Sequence, residues 1–126
     1  MYLIDTDILI WVLRGNKKYK DHLQSIKNKG SLSISTITVA EIYKNMFASE
    51  TVKTENLLNE LQICDVTISI AKQAGSYWQQ YAKKLKNLSL TDCLIAGTAN
   101  VNNLVLVTLN TKHFPMKDIQ LLNPIV

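Results

Sequence analysis

Carboxylates at the ends of apolar segments are the residues in this chain best suited to chemistry. "MYLIDTDILI" runs from Tyr2-Leu3-Ile4 into Asp5, Thr6 and Asp7, then returns to apolar residues. Burying a carboxylate is costly unless a positive or hydrogen-bonding group faces it. This segment end therefore opens to solvent or meets a cation. Glu41 in "TVAEIYKN" and Asp92 in "SLTDCLIAG" stand near expected helix starts. Asn110 follows the apolar run Leu104–Leu109 as Asp5 follows Tyr2–Ile4. Hard divalent cations such as magnesium take oxygen ligands, usually one or two carboxylates with water and substrate phosphate. Three carboxylates from distant segments suit one or two such ions. Two ions about 3.5–4 Å apart can activate water and clamp both oxygens of an in-line phosphoryl displacement.

Local roles compete with this reading. Thr38 to Glu41 and Ser89 to Asp92 have the spacing of a capping box, and Asp5 and Asp7 suit the first turn of a helix. Capping accounts for each acid separately, not for their common placement. Other chemistries lack their residues. His22 and His113 are far apart, and Cys64 and Cys93 have no zinc-like spacing. Glycines 15, 30, 75 and 97 form no phosphate-binding loop, and no serine sits in a Gly-rich nucleophile elbow. Metal-assisted hydrolysis of a phosphate ester is what the side chains favour.

The elements that must hold these residues alternate. Strands are expected at Tyr2–Ile4, Ser31–Ser35, Cys64–Ile68, Leu104–Leu109 and Gln120–Leu122, from short apolar or alternating runs. Helical patterns cover Ile8–Leu13, Tyr19–Asn28, Val39 to about Ser49, Val52–Leu61, Ile70–Leu85 and Leu90–Val101. In the Ile70–Leu85 helix, Ala71, Ala74, Trp78, Tyr81 and Leu85 are assigned to the core side. Strands separated by helices imply a mostly parallel sheet covered on both faces, an α/β class. In such folds the working crevice lies beyond the carboxyl ends of the strands, where Asp5 and Asn110 fall.

At 126 residues and 47% hydrophobic content the chain is expected to be one domain, 1–126, with a sizeable core. No apolar run approaches the roughly 18 residues of a membrane span, and no signal-like start is evident. Two cysteines fit a reducing cytoplasm. The net charge of +4 gathers in Lys17-Lys18-Tyr19-Lys20, Lys27-Asn28-Lys29 and Lys83-Lys84-Leu85-Lys86. Such clusters are commonly solvated surface, and gain meaning when another feature points to phosphates.

"LIDTDILI", "STITVAEIYKN", "LSLTDCLIAGTA" and "LVTLNTKHFPM" together resemble a PIN domain, and more narrowly the VapC-type ribonuclease toxin of toxin–antitoxin pairs. The resemblance runs along nearly the whole chain. It implies a three-layer α/β/α fold that cleaves RNA with magnesium or manganese. By the match, Asp5, Glu41 and Asp92 are the metal-holding, catalytic acids, and Asn110 takes the fourth catalytic place, where the family varies between acid and amide. Asp7 stands where the family often has asparagine. The resemblance further implies a cognate antitoxin covering a groove near the acids, often sending a basic side chain into them, and a homodimer. Ile10–Leu13 with Trp11 is a candidate lining for that groove, although Trp11 equally suits a core position. Lys44, Lys112 and His113 lie near the acids in sequence and are candidate RNA contacts.

Two rival families share features. A haloacid-dehalogenase-like phosphatase also carries Asp-x-Asp after its first strand, but expects threonine where this chain has Leu9. A receiver-like binding module needs a phosphoacceptor Asp at the end of a middle strand, and Asp65 stands near the expected beginning of one. A PIN-like module without catalysis is the third alternative, because of Asn110.

Overall fold

A computed structural model of the chain describes residues 1–125; Val126, the last residue of the expected domain, lies outside them. Five strands build one sheet: β1 (Tyr2–Ile4), β2 (Leu32–Ser35), β3 (Gln62–Cys64), β4 (Val105–Val107) and β5 (Gln120–Leu122), in the order β3-β2-β1-β4-β5. Every neighbouring pair is parallel, with Leu3 opposite Ser33 on one side and Leu106 on the other. Parallel neighbours need crossovers. Six helices supply those linking β1 to β4: α1 (Thr6–Leu13), α2 (Lys17–Lys27), α3 (Thr36–Asn45), α4 (Thr51–Asn59), α5 (Ile68–Tyr81) and α6 (Leu90–Val101), while the β4–β5 connection carries only a short 3-10 turn, Thr111–His113.

Successive strand side chains point to opposite faces, so the central strands β1 and β4 feed two cores. Ile4, Ile34 and Val107 pack with Ile8, Leu9 and Val12 of α1, Leu23 and Ile26 of α2, and Ile42 of α3. Leu3 and Leu106 pack on the other face with Ala74 and Tyr77 of α5 and Ile95, Ala96 and Ala99 of α6. The result is the expected α/β/α sandwich, with β1 in the middle of the sheet. Helix α6 approaches α5 closely at Gly97, where a Cβ would stand 3.0 Å from the Ile70 carbonyl oxygen.

Several boundaries differ from the sequence reading, for identifiable reasons. Helix α3 starts at Thr36 because the Ser35 hydroxyl accepts from the Ile37 N–H, so Thr38 is a buried helix residue and not a cap. Glu41 consequently lies in the helix interior, and its capping-box explanation falls. Strand β3 ends at Cys64, where a strand was expected to begin, and α5 starts at Ile68 under the Thr67 hydroxyl, which accepts from the Ile70 N–H. The β-branched run Val66-Thr67-Ile68 looked like strand, yet a cap decides its conformation. Helix α5 stops at Tyr81, where the Lys84 and Leu85 N–H groups both turn back to the Tyr81 carbonyl. Its buried face is Ile70, Ala74 and Tyr77, leaving Ala71 exposed and Trp78 44% exposed. Gly15, at φ +81°, makes the left-handed turn between α1 and α2. Asn16 then caps α2 by accepting from the Lys18 N–H.

Candidate active site

The carboxyl end of β1, the interior of α3 and the start of α6 deliver the acids, and the carboxyl end of β4 is followed by Thr108 and Asn110. Asp5 follows β1 directly, and its own N–H donates to the Val107 carbonyl at the end of β4. Its Oδ1 accepts from the Thr6 N–H at 2.8 Å, making Asp5 the cap of α1. Its Oδ2 accepts from the Thr108 hydroxyl at 2.7 Å. Glu41 arrives from α3, and its Oε1 accepts from the Thr6 hydroxyl at 2.7 Å. The same hydroxyl lies 3.2 Å from that of Thr38. Asp92 sits in the first turn of α6, its N–H donating to the Ser89 hydroxyl at 3.0 Å. That half of the expected capping box is present. The Asp92 carboxylate lies 3.9 Å from Nδ1 of His113.

Asp5, Asp7, Glu41, Asp92, Asn110 and His113 line one open cleft, together with Thr6, Ile10 and Asn45. Residues as far apart in sequence as Asp5 and Asn110 are thus brought to one edge of the sheet. Lys44 and Lys112 are exposed and do not line this cleft; of the three candidate RNA contacts only His113 does. The Asn110 side chain makes no cap for the turn that follows it. Instead its Nδ2 donates to Oδ2 of Asp7 at 2.8 Å, and its backbone N–H donates to the Thr108 hydroxyl at 3.0 Å.

Electrostatics set these acids apart from ordinary surface carboxylates. Burial, then the neighbouring Asp7 charge, pushes the Asp5 carboxyl up to about 7 against the opposing hydrogen bonds from Thr108 and Thr6; Asp92 adds a further push. Burial also raises Asp7, opposed by hydrogen bonds from the Ile8 and Leu109 backbone, by His113 and by Asn110. Like charges crowded in a partly dry cleft disfavour ionisation, and a cation reverses that balance. The donors are carboxylate and amide oxygens, the chemistry a hard divalent ion requires. They share the cleft without being drawn up around one point. Among the described residues, no three His, Cys, Asp or Glu side chains are grouped closely enough to hold an ion as they stand. Thr6 and Asn45 line the same cleft: Thr6 holds Glu41 by its carboxylate, and the Asn45 side chain donates to the Glu41 carbonyl.

Sequence reasoning missed Thr6, Thr108 and the partnership of Asp7 with Asn110. Thr6 carries a readable signal, being a hydroxyl between two acids at a strand end. Thr108 carries a weaker one, as the first polar residue after β4. The Asp7–Asn110 contact spans 103 positions and has no local signal. The rival families lose ground here. Leu9, where a phosphatase would need threonine, is fully buried in the core. Asp65 follows the end of β3, not a strand's beginning as expected, but β3 is a sheet edge and Asp65 does not line the cleft.

Comparison with known proteins agrees with the architecture. The PIN domain family model matches residues 2–119. The chain is 39% identical over 116 residues to a Mycobacterium tuberculosis protein named Ribonuclease VapC10, covering 92% of this chain and 87% of that one. Among solved structures, VapBC2 from Rickettsia felis bound to a promoter DNA fragment superposes with a TM-score of 0.84 at 25% identity, covering 97% of both chains. A toxin–antitoxin complex from Klebsiella pneumoniae superposes at 0.78 with 28% identity, covering 98% of both. With its parallel sheet, its strand-end acids and a match across almost its whole length, the chain belongs to the PIN domain family.

Proposed function

We propose that this protein is an endoribonuclease that acts as the toxin of a toxin–antitoxin pair, hydrolysing RNA phosphodiester bonds with magnesium or manganese held by Asp5, Glu41 and Asp92. The observation that carries this reading is the meeting of these acids, from β1, α3 and α6, in one cleft of a PIN-family chain. A divalent ion bound there supplies positive charge to the scissile phosphate and lowers the pKa of the attacking water. The chain's own residues do the positioning. Thr108 and the Thr6 N–H hold the two oxygens of Asp5, and the Thr6 hydroxyl holds Glu41, so the carboxylates keep fixed directions. His113 faces the cleft beside Asp92 and can donate an N–H to a phosphate oxygen. Lys44 and Lys112, exposed near the cleft residues in sequence, add positive charge for the RNA backbone.

The partner is an antitoxin, as the toxin–antitoxin complex among the structural relatives supports. Its contact surface includes α1. Trp11 is 47% exposed and stacks on Tyr19 with ring centroids 5.7 Å apart, while Ile10 lines the acidic cleft. Arg14 lies 5.1 Å over the exposed Phe47 ring on the same side of the sheet. A second copy of the chain is the proposed partner of the exposed Ile68 and Trp78 on α5. The proposed location is the cytoplasm; among the described residues, no helix is long and apolar enough to cross a membrane.

The test is to incubate the purified chain with total cellular RNA, with magnesium, with manganese and with chelator. Discrete cleavage products that need metal and disappear in Asp92→Asn are expected. Cleavage undiminished by chelator, or none of any RNA with either metal, overturns the reading.

A further inference from the structure

We infer that Asp7 supplies the fourth carboxylate of the metal site, and that Asn110 is the positioning residue that holds it there. This rests on the metal reading of the preceding section. Asp7 lines the same cleft as Asp5, Glu41 and Asp92. Its two oxygens are fixed from two directions: Oδ1 accepts from the Ile8 N–H at 2.8 Å, and Oδ2 accepts from Asn110 Nδ2 at 2.8 Å. Asn110 is itself pinned, because its N–H donates to the Thr108 hydroxyl, which donates in turn to Asp5. A chain of hydrogen bonds therefore runs from Asp5 through Thr108 and Asn110 to Asp7.

The direction of the last bond matters. An amide has a donor end and an acceptor end. The Asn110 amide nitrogen is turned to Asp7, and all the amide can offer a cation is a neutral oxygen. The negative charge at this corner of the site belongs to Asp7. An acid at position 110 would face the Asp7 carboxylate across the present 2.8 Å contact and replace a hydrogen bond by like-charge repulsion. Exchanging the two side chains keeps one charge, one amide and one hydrogen bond, with the donor now at position 7.

Four proteins test this: wild type, Asp7→Asn, Asn110→Asp and the double exchange Asp7→Asn/Asn110→Asp. Manganese is titrated calorimetrically into each metal-free protein at one pH and salt, and the melting temperature of each metal-free protein is recorded. Asp7→Asn is expected to weaken manganese binding about 10- to 100-fold, the range for losing a group that supports or completes a metal site. The double exchange is expected to restore affinity to within about threefold of wild type, and to melt above Asn110→Asp, in which the acids face each other. Manganese affinity in Asp7→Asn within twofold of wild type, or a double exchange no tighter than Asp7→Asn, overturns the inference. A wild type that binds no manganese overturns the metal reading itself, and this inference with it.

Discussion

Replacing Asp5 by asparagine should stabilise the metal-free protein at alkaline pH while destroying its function. The native state raises the Asp5 carboxyl from its ordinary value of 3.8 to about 7, chiefly by burial and then by Asp7. The folded protein therefore holds this proton more tightly than the unfolded chain does. The associated stability is fully present below the unfolded value, is lost as pH rises through about 7, and changes no further above that. At about 1.4 kcal/mol per pH unit, the ceiling for the loss is about 4 kcal/mol. Water entering the open cleft relaxes part of that cost, leaving about 1–3 kcal/mol. The introduced amide can accept from the Thr6 N–H and donate to the Thr108 hydroxyl, so the two local contacts survive. In chelator, the wild type should melt several degrees lower at pH 8 than at pH 5.5, by about 3–6 °C per kcal/mol. Asp5→Asn should lose most of that difference and melt above the wild type at pH 8. Asp7, also raised, titrates in both proteins and is coupled to Asp5 through their charges, so the difference between the two curves reports Asp5 together with that coupling. Identical pH dependence in both, or a variant destabilised equally at both pH values, would refute the reasoning.

Other outcomes follow from the same contacts. Asp92→Asn should reduce RNA cleavage by at least about 100-fold and relieve growth inhibition on expression, with an unchanged far-ultraviolet circular dichroism spectrum. Thr6→Val removes the 2.7 Å hydrogen bond to Glu41, and should weaken manganese binding about tenfold in a calorimetric titration. Gly97→Ala places a methyl 3.0 Å from the Ile70 carbonyl. Overpacking of about 1–3 kcal/mol then exceeds the helix-propensity gain of about 1 kcal/mol, so the melting temperature should fall. Gly75→Ala, on exposed helix surface with nothing within 4 Å, should raise it.

The layer architecture was legible in the sequence because the strands are short apolar runs separated by helical patterns, and such runs pair in parallel for want of hairpin turns. The end of the first strand was legible as a place for Asp5, while Glu41 and Asp92 were read from expected helix starts facing the same crevice. Local phase was harder to read. In α5 both Ala71 with Trp78 and Ala74 with Tyr77 satisfy helical spacing, and only packing against α6 selects the second pair. The start of α3 was misplaced because three hydroxyl residues, Ser35, Thr36 and Thr38, competed for one cap. Long-range polar pairing was out of reach: Asp5 with Thr108 and Asp7 with Asn110 each join β1's end to β4's end across 103 positions. Nothing in the neighbouring residues of either partner announces the other.

The central claim is that Asp5, Glu41 and Asp92 hold the metal that cleaves RNA. Crystals of the protein soaked in manganese, with anomalous diffraction collected at the manganese edge, test it most directly. The account requires a manganese peak in the cleft, within about 2.0–2.3 Å of carboxylate oxygens from all three residues, and its loss in Asp92→Asn. A peak elsewhere, or an empty cleft at a manganese concentration that supports cleavage in solution, would contradict it.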